Sequence, residues 1–524
     1  MQGEDIEDAH HRHRALQKLR RELAKDIAKA AKIAEACGLW DLLLLCYNLH
    51  LTRVGLVMLP NHGELNGFAN TAVLLMREEA IKYAIGLVAK HGSWSEHADA
   101  IHGYGEFSSD RIEALERIAR HINAKFEMEG FLHVGKVRVT GERDQDCSID
   151  LEAGLRDPTR AMHFHYGLRM ERVTTQGNKQ VLLTPDLVRR LYREFSGVNA
   201  MFEAQCGVSL EAFCTGLIHL DLVLKDRVQA ILDVIGERTT DSFQVADIRT
   251  FVGMSRAIFF TDAELAASFT PAFISYLRTH PFVPAEASDT ELRFHYLTRR
   301  PFLMGAGFAV LSPELCFDSV LRNAHFTLLE EAESKPKYMA AAASSFLDRI
   351  ADSAAAYGYE EVDREIDLFE GKRKLGDIDL ILNNPTTNHT ILVEGKNHAL
   401  PLEVYFRSPE AIDAHVARTR DWEEKVQRRI VHLRSASPNY SVAGSWDYII
   451  VSRMPEPLSH LSDLLILSID ELELWFSRSP RDTSFVQFYD NVYVQEHPDV
   501  SEDELRDLYE AGYVLARPTQ SESD

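Results

Sequence analysis

The chain has 524 residues, with 57 Lys and Arg against 80 Asp and Glu, a formal charge of −23. Apolar residues make up 45 % and charged residues 26 %, which excludes wholesale disorder, and 28 Gly with 18 Pro exclude a fibrous or low-complexity chain. The acidity excludes a protein that holds nucleic acid by bulk positive charge, but not an enzyme that meets it at one local site.

Six scattered cysteines, Cys37, Cys46, Cys147, Cys206, Cys214 and Cys316, form no CxxC pair. That argues against a zinc knuckle or disulfide framework and suits a reducing cytoplasm. Residues 1–8 are polar and acidic, unlike a signal peptide. The most hydrophobic stretch, Gly38–Leu59, carries Asp41, Asn48, His50 and Arg53, so it reads as a buried helix and not a membrane span.

In chain order, residues 11–37 form a basic helix, with Leu16, Leu19, Leu23, Ile27 and Ile33 on one stripe. Helical patterns follow at 68–90 and 108–127. Between 128 and 185 the texture turns β-branched and alternating, with strands expected at Phe131–Thr140 and Gln180–Leu183. Residues 186–280 return to helix. Pro281–Asp289 reads as a loop and Thr298–Leu311 as a connector to the next domain. Lys337–Tyr357 is an Ala-rich helix closed by Gly358. Glu361–Phe369, Asp377–Leu382 and Thr390–Lys396 read as strands, separated by a basic turn at Gly371–Gly376 and a second turn at Asn383–Asn388. Pro409–Arg434 is a long helix, Trp446–Ser452 a buried strand, and Asp463–Ile469 with Glu471–Trp475 a last strand and helix. The expected organisation is an α+β multidomain chain: helical 1–127, β-containing 128–185, helical 186–333, an α-β-β-β-α-β unit over 334–490 and an acidic tail over 491–524.

Chemistry concentrates in that last unit. Gly376-Asp377-Ile378-Asp379-Leu380 precedes the second turn and Leu392-Val393-Glu394-Gly395-Lys396 follows it. On an antiparallel hairpin, Asp379 and Glu394 come side by side at the strand ends. Adjacent carboxylates repel unless a cation sits between them, and hard oxygen ligands suit Mg²⁺ or Mn²⁺. A lysine two residues on can reach a metal-bound water and the charge of a phosphoryl transition state.

With these residues the unit resembles the PD-(D/E)XK nuclease superfamily, whose restriction-endonuclease-like core has the same α-β-β-β-α-β order. The GDIDL strand is similar to that of archaeal Holliday-junction resolvases and their bacterial relatives. The resemblance covers residues 335–480. It implies that Asp379, Glu394 and the Gly395 carbonyl ligate metal and that Lys396 positions or activates water. Many members carry a Glu on the first helix, where this chain offers Asp348, and some a Gln after the third strand, where it offers Gln427. Glu-x-Lys occurs four times, at Glu333/Lys335, Glu370/Lys372, Glu394/Lys396 and Glu423/Lys425, but only Glu394 has an acid one hairpin earlier.

Residues 335–460 are nearly balanced at net −3. Lys372, Arg373 and Lys374 on the turn, with Arg418, Lys425 and Arg429 on the long helix, could track a nucleic-acid backbone. Gly130–Val137 imitates a phosphate loop but lacks the Ser or Thr after Lys136 and leads into a strand. His163 and His165 would share a strand face without a third metal ligand. The expectation is a Mg²⁺-dependent endonuclease acting on DNA in preference to RNA. Its N-terminal part would serve recognition, homo-oligomerisation or control, in bacterial defence or DNA processing. The alternatives are a helical interaction protein with a non-cutting nuclease-like domain and an RNA-cutting effector.

Overall fold

The computed structural model describes residues 2–58, 65–96, 107–140, 148–155, 161–178, 195–236, 248–294, 300–316, 335–398, 400–442, 444–478 and 481–494, with a few single residues between them. It is a mixed α+β protein with a helical N-terminal region and a sheet-based C-terminal region.

The N-terminal region begins with α1 (Gln2–Ala34), α2 (Leu39–Met58), α3 (Leu65–His91) and α4 (Ser109–Val134). The apolar stretch read as a buried helix is α2, with Leu42, Leu43, Leu45 and Leu49 fully buried. Asp41 in its first turn is buried and accepts hydrogen bonds from the Gly38 and Ser108 amides at 3.0 and 3.1 Å and from Arg111 at 2.8 Å. No single helix among the described residues is long and apolar enough to cross a membrane.

Beyond a β1–β2 hairpin (Gly135–Thr140, Ser148–Leu155) and α5 (Ala161–Asn178) come α6 (Asn199–Cys206), α7 (Leu210–Gly236) and α8 (Ile248–Ile258). A three-stranded sheet of β3 (Phe259–Thr261), β4 (Leu303–Gly305) and β5 (Phe308–Val310) encloses α9 (Asp262–Ser268) and α10 (Pro271–Thr279). One apolar core runs through both stretches, from Leu23 and Trp40 to Phe213, Phe273 and Leu311, so the expected 1–127 and 186–333 domains are one body. The expected connector at 298–311 is the β4–β5 hairpin, and Phe302, Leu303 and Phe308–Leu311 are buried in that core. At its heart, Arg53 and Lys82 face Glu78 and Asp318 at 2.6–2.9 Å, a balanced set of two cations and two anions. Five cysteines are free and buried, and Cys147 lies outside the described residues.

The C-terminal region is a five-stranded sheet in the order β10-β9-β8-β7-β6. After α11 (Lys335–Ala355), β6 (Glu360–Glu370), β7 (Arg373–Asn384) and β8 (His389–Lys396) form an antiparallel meander. A short α12 (Leu402–Tyr405) and the crossover helix α13 (Pro409–Leu433) return the chain to β9 (Ser445–Ser452), parallel to β8. β10 (Leu465–Ser468) is parallel to β9. α14 (Ile469–Phe476), started by a Ser468–Glu471 capping box, and α15 (Phe485–Tyr489) lie with α11 on one face. α13 covers the other. The β7–β8 turn is an Asx turn: Asn384 Oδ1 accepts from the Thr386 and Thr387 amides, and Asn388 takes φ +51°.

Four local expectations change. The strand expected at Phe131 starts at Gly135, because α4 runs on to Val134. The basic turn shrinks to Gly371–Lys372, and Arg373 and Lys374 lie on β7. Gln180–Leu183 falls outside the described residues, as does the tail from 495. Residues 490–494 instead form a π-helical turn that buries Val492 and Tyr493. Finally, His163 and His165 sit on a helix, α5, and not on a strand. Met162, Tyr166 and Met170 recur every four residues and are buried with α13 against the sheet. The unit read as 334–490 therefore includes α5, a helix from far upstream in the chain. Its anchor is Arg169, which donates from Nε and Nη2 to both oxygens of buried Glu471 at 2.8 Å and from Nη1 to the Glu456 carbonyl at 2.9 Å. Arg169→Leu strands the buried Glu471 charge and is expected to destabilise the protein by about 3–5 kcal/mol. The check is the urea midpoint, and an unchanged midpoint would mean that this pair does not hold α5.

Candidate functional site

The site lies where β7 and β8 part. Their pairing runs from Asn384↔His389 to Leu380↔Val393 and stops there, one position short of Asp379 and Glu394. Side-chain alternation also breaks at Asp379, since Leu380 packs in the α11-side core and Ile378, two residues earlier, in the α13-side core. Across from it on β6, Glu365 between the paired Arg364 and Ile366 takes φ +55°, a left-handed conformation rare outside glycine.

Into that opening go the motif side chains. Asp379 Oδ2 accepts a hydrogen bond from the Gly395 amide at 2.7 Å. Gly395 packs closely under α11: a Cβ there would lie 2.8 Å from the end of the Leu347 side chain. Glu394 is 4 % exposed. One of its oxygens accepts from Lys396 Nζ at 2.6 Å, and the other from Arg429 Nη1 on α13. Arg429 also donates to the Tyr448 hydroxyl on β9 at 3.3 Å and stands 3.9 Å from Asp377. Gly376, at φ +134°, leaves the space that the Arg429 guanidinium fills. Lys396 Nζ lies 5.6 Å from the Trp422 ring centre.

Burial raises the Asp379 carboxyl to about 6. Glu394 and Asp377 add to the rise, and the Gly395 amide and Lys396 oppose it. Three carboxylates (Asp377, Asp379, Glu394) against two cations (Lys396, Arg429) leave the cluster one charge negative. Carboxylate oxygens with a residual negative charge are the donor set of a hard divalent ion.

Sequence reasoning located Asp379, Glu394, Gly395 and Lys396, and the structure brings them together. It treats the supporting residues differently. The Asp348 side chain is 60 % exposed and pairs with Arg364 at 2.7 Å. Gln427 is half-buried on α13, two residues before Arg429. Arg429, expected on the surface beside nucleic acid, is buried as the counter-ion of Glu394. Lys425 pairs with Asp421 and Lys374 with Asp367, both at 2.6 Å, while Lys372, Arg373 and Arg418 are exposed. His163 and His165 go separate ways, to Asp413 at 2.8 Å and the Tyr489 hydroxyl at 3.0 Å. Tyr448 and Trp422 escaped notice because no spacing along the chain links them to Glu394.

No protein-family model, no curated protein and no solved structure matches this chain.

Removing Arg429 tests the electrostatic core of the site. Arg429→Met is expected to cost about 3–5 kcal/mol, because Glu394 loses a partner inside a dry pocket. Chemical denaturation of the full chain measures it. A cost below about 1 kcal/mol, the range of a surface pair, would show that Glu394 is solvated by other means.

Proposed function

We propose that the chain is a metal-dependent nuclease, with Asp379, Glu394 and Lys396 as its hydrolytic site. The observation that carries this reading is the Asp379 carboxyl, raised to about 6 beside the buried Glu394 and left short of positive charge. Asp379 and Glu394, with the Gly395 carbonyl as the family resemblance implies, would hold Mg²⁺ or Mn²⁺. Bound there, a divalent ion would acidify a water and offset charge on the scissile phosphate. Lys396 would orient the attacking water, whose oxygen bonds to phosphorus as the bond to the leaving oxygen breaks. Arg429 has a second acid, Asp377, at 3.9 Å to turn to when a cation takes its share of Glu394. The near-balanced charge of residues 335–460 lets a polyanion approach this face, and the family resemblance favours DNA over RNA. The helical region joined to this sheet suits control of the activity, as in defence or DNA processing.

A second reading has one observation of its own. Arg429 and Lys396 already neutralise Glu394 without any metal, as in a nuclease-like domain kept for binding inside a helical interaction protein. Incubating wild type, Asp379→Ala and Lys396→Ala with supercoiled DNA, linear DNA and RNA, in Mg²⁺, Mn²⁺ or EDTA, separates the readings. We expect cutting that needs metal and falls at least about 100-fold in both variants. Cutting equal in all three proteins would remove the proposed site. No cutting by any would favour the binding reading, and cutting of RNA alone the effector reading.

Acid pH gives an independent check. A carboxyl that titrates near 3.8 when free and about 6 here lends stability as a protonated group, and that stability is lost as pH rises through 6. A metal must displace that proton. Stabilisation by Mg²⁺ is therefore expected to be weak at about pH 5 and full by about pH 7, read as the difference in Tm with and without the ion. A difference flat across that range would speak against ligation by Asp379.

A further inference from the structure

A second cluster lies beside the first, built from residues that no sequence pattern joins. His398 follows Lys396 by two residues, His415 is on α13, and Glu456 precedes the 3-10 turn Pro457–Leu461 after β9. Each offers one ligand atom, and the three atoms lie within 4.8 Å of one another. We propose that His398, His415 and Glu456 bind a transition-metal ion, with Zn²⁺ the best match, separately from the Asp379–Glu394 site.

The first argument is charge. Glu456 is 0 % exposed and His415 4 %. A buried carboxylate needs a cation or several donors. The nearby Arg169 does not serve it, since its guanidinium goes to the carboxylate of Glu471 and only to the backbone carbonyl of Glu456. Among the described residues the Glu456 carboxylate faces only the two imidazoles, His415 Nε2 at 2.8 Å and His398 Nε2 at 3.0 Å.

Geometry is the second argument. His398 Nε2 and Glu456 Oε1 are 3.0 Å apart, yet both atoms are buried without a hydrogen bond. Donors 2.0–2.1 Å from a tetrahedral Zn²⁺ sit roughly 3.3 Å from one another, a spacing within the 4.8 Å that bounds these three atoms. The imidazoles are stacked at 26° with centres 5.7 Å apart. The His398 side chain is 23 % exposed although its Nε2 is buried, so the cluster lies just beneath the surface.

Ligand chemistry is the third. Two neutral nitrogens and one carboxylate suit Zn²⁺ and its first-row neighbours, whereas Mg²⁺ takes oxygen donors. The other His/carboxylate group, Glu129, His133 and Glu410, differs. There the Arg20 guanidinium already bridges both acids, at 2.7 and 3.0 Å, near the surface.

An ion here would tie the end of β8, α13 and the β9–β10 connection together. These segments carry Lys396 and Arg429, and Trp422 bridges the sites, 5.2 Å from His398 and 5.6 Å from Lys396 between ring centres or Nζ. The ion would thus act as a brace for Lys396.

The test is metal content, not activity. Tag-free full-length wild type, His398→Gln, His415→Ala, Glu456→Gln and Asp379→Ala are purified without chelator, analysed by inductively coupled plasma mass spectrometry, and reconstituted with Co²⁺ for visible absorption. We expect about one ion per chain and a Co²⁺ d–d band in wild type. Both should persist in Asp379→Ala and be lost in His398→Gln, with circular dichroism confirming that this half-exposed variant is folded. Loss of the ion from wild type should also lower Tm by several degrees. Trace metal in wild type after Zn²⁺ or Co²⁺ reconstitution, or equal binding by wild type and His398→Gln, would overturn the proposal. Because Asp379→Ala removes the proposed nuclease site alone, failure of either assignment can be told from failure of the other.

Discussion

Glu394 carries a carboxylate to a position that water barely reaches, and much of the C-terminal region is arranged around that charge. A buried ion costs several kcal/mol unless cations and donors replace its hydration. Lys396 answers from the same strand and Arg429 from the helix across the sheet face. Arg429 in turn dictates the absence of a side chain at Gly376 and the placing of the Tyr448 hydroxyl. The same solution recurs elsewhere. Glu471 draws Arg169 from α5, and Glu78 and Asp318 draw Arg53 and Lys82. In each case a buried acid recruits a partner from a distant segment, and this fixes how elements dock more tightly than apolar contact, which is non-directional.

Asp379 is the exception. Among the described residues its hydrogen-bond donor is a backbone amide, and burial with Glu394 and Asp377 outweighs Lys396 and raises its carboxyl to about 6. Asp377, Asp379 and Glu394 have Lys396 and Arg429 as the cations beside them, so the cluster keeps one excess negative charge. The β7–β8 pairing ends at Leu380↔Val393, beside these side chains.

The two regions are not beads on a string. α5 leaves the N-terminal part to lie against the C-terminal sheet, and Arg20 on α1 reaches Glu410 at the start of α13. α13 carries both Arg429 and His415. The helix that neutralises Glu394 therefore also contacts the helical region.

Much of this was legible in the chain. The meander, the two motifs, the apolar α2 and the closing strand and helix all follow from period and turn chemistry, because those signals are local. The errors have local causes too. Around 128–140 a helix runs straight into a strand, and only Gly135 marks the change between them. His163-Phe164-His165 imitates an alternating strand, although Met162, Tyr166 and Met170 carry a four-residue period. Arg429 read as surface charge because nothing in its own helix reveals the acid it meets.

The sequence by itself determined the hairpin and the residues it brings to one end, since strand alternation and turn chemistry act over a few residues. Only the tertiary structure decided which charges are buried and which partner each receives. Burial and pairing depend on segments far apart in the chain, 302 residues in the case of Arg169 and Glu471, and no local pattern encodes that meeting.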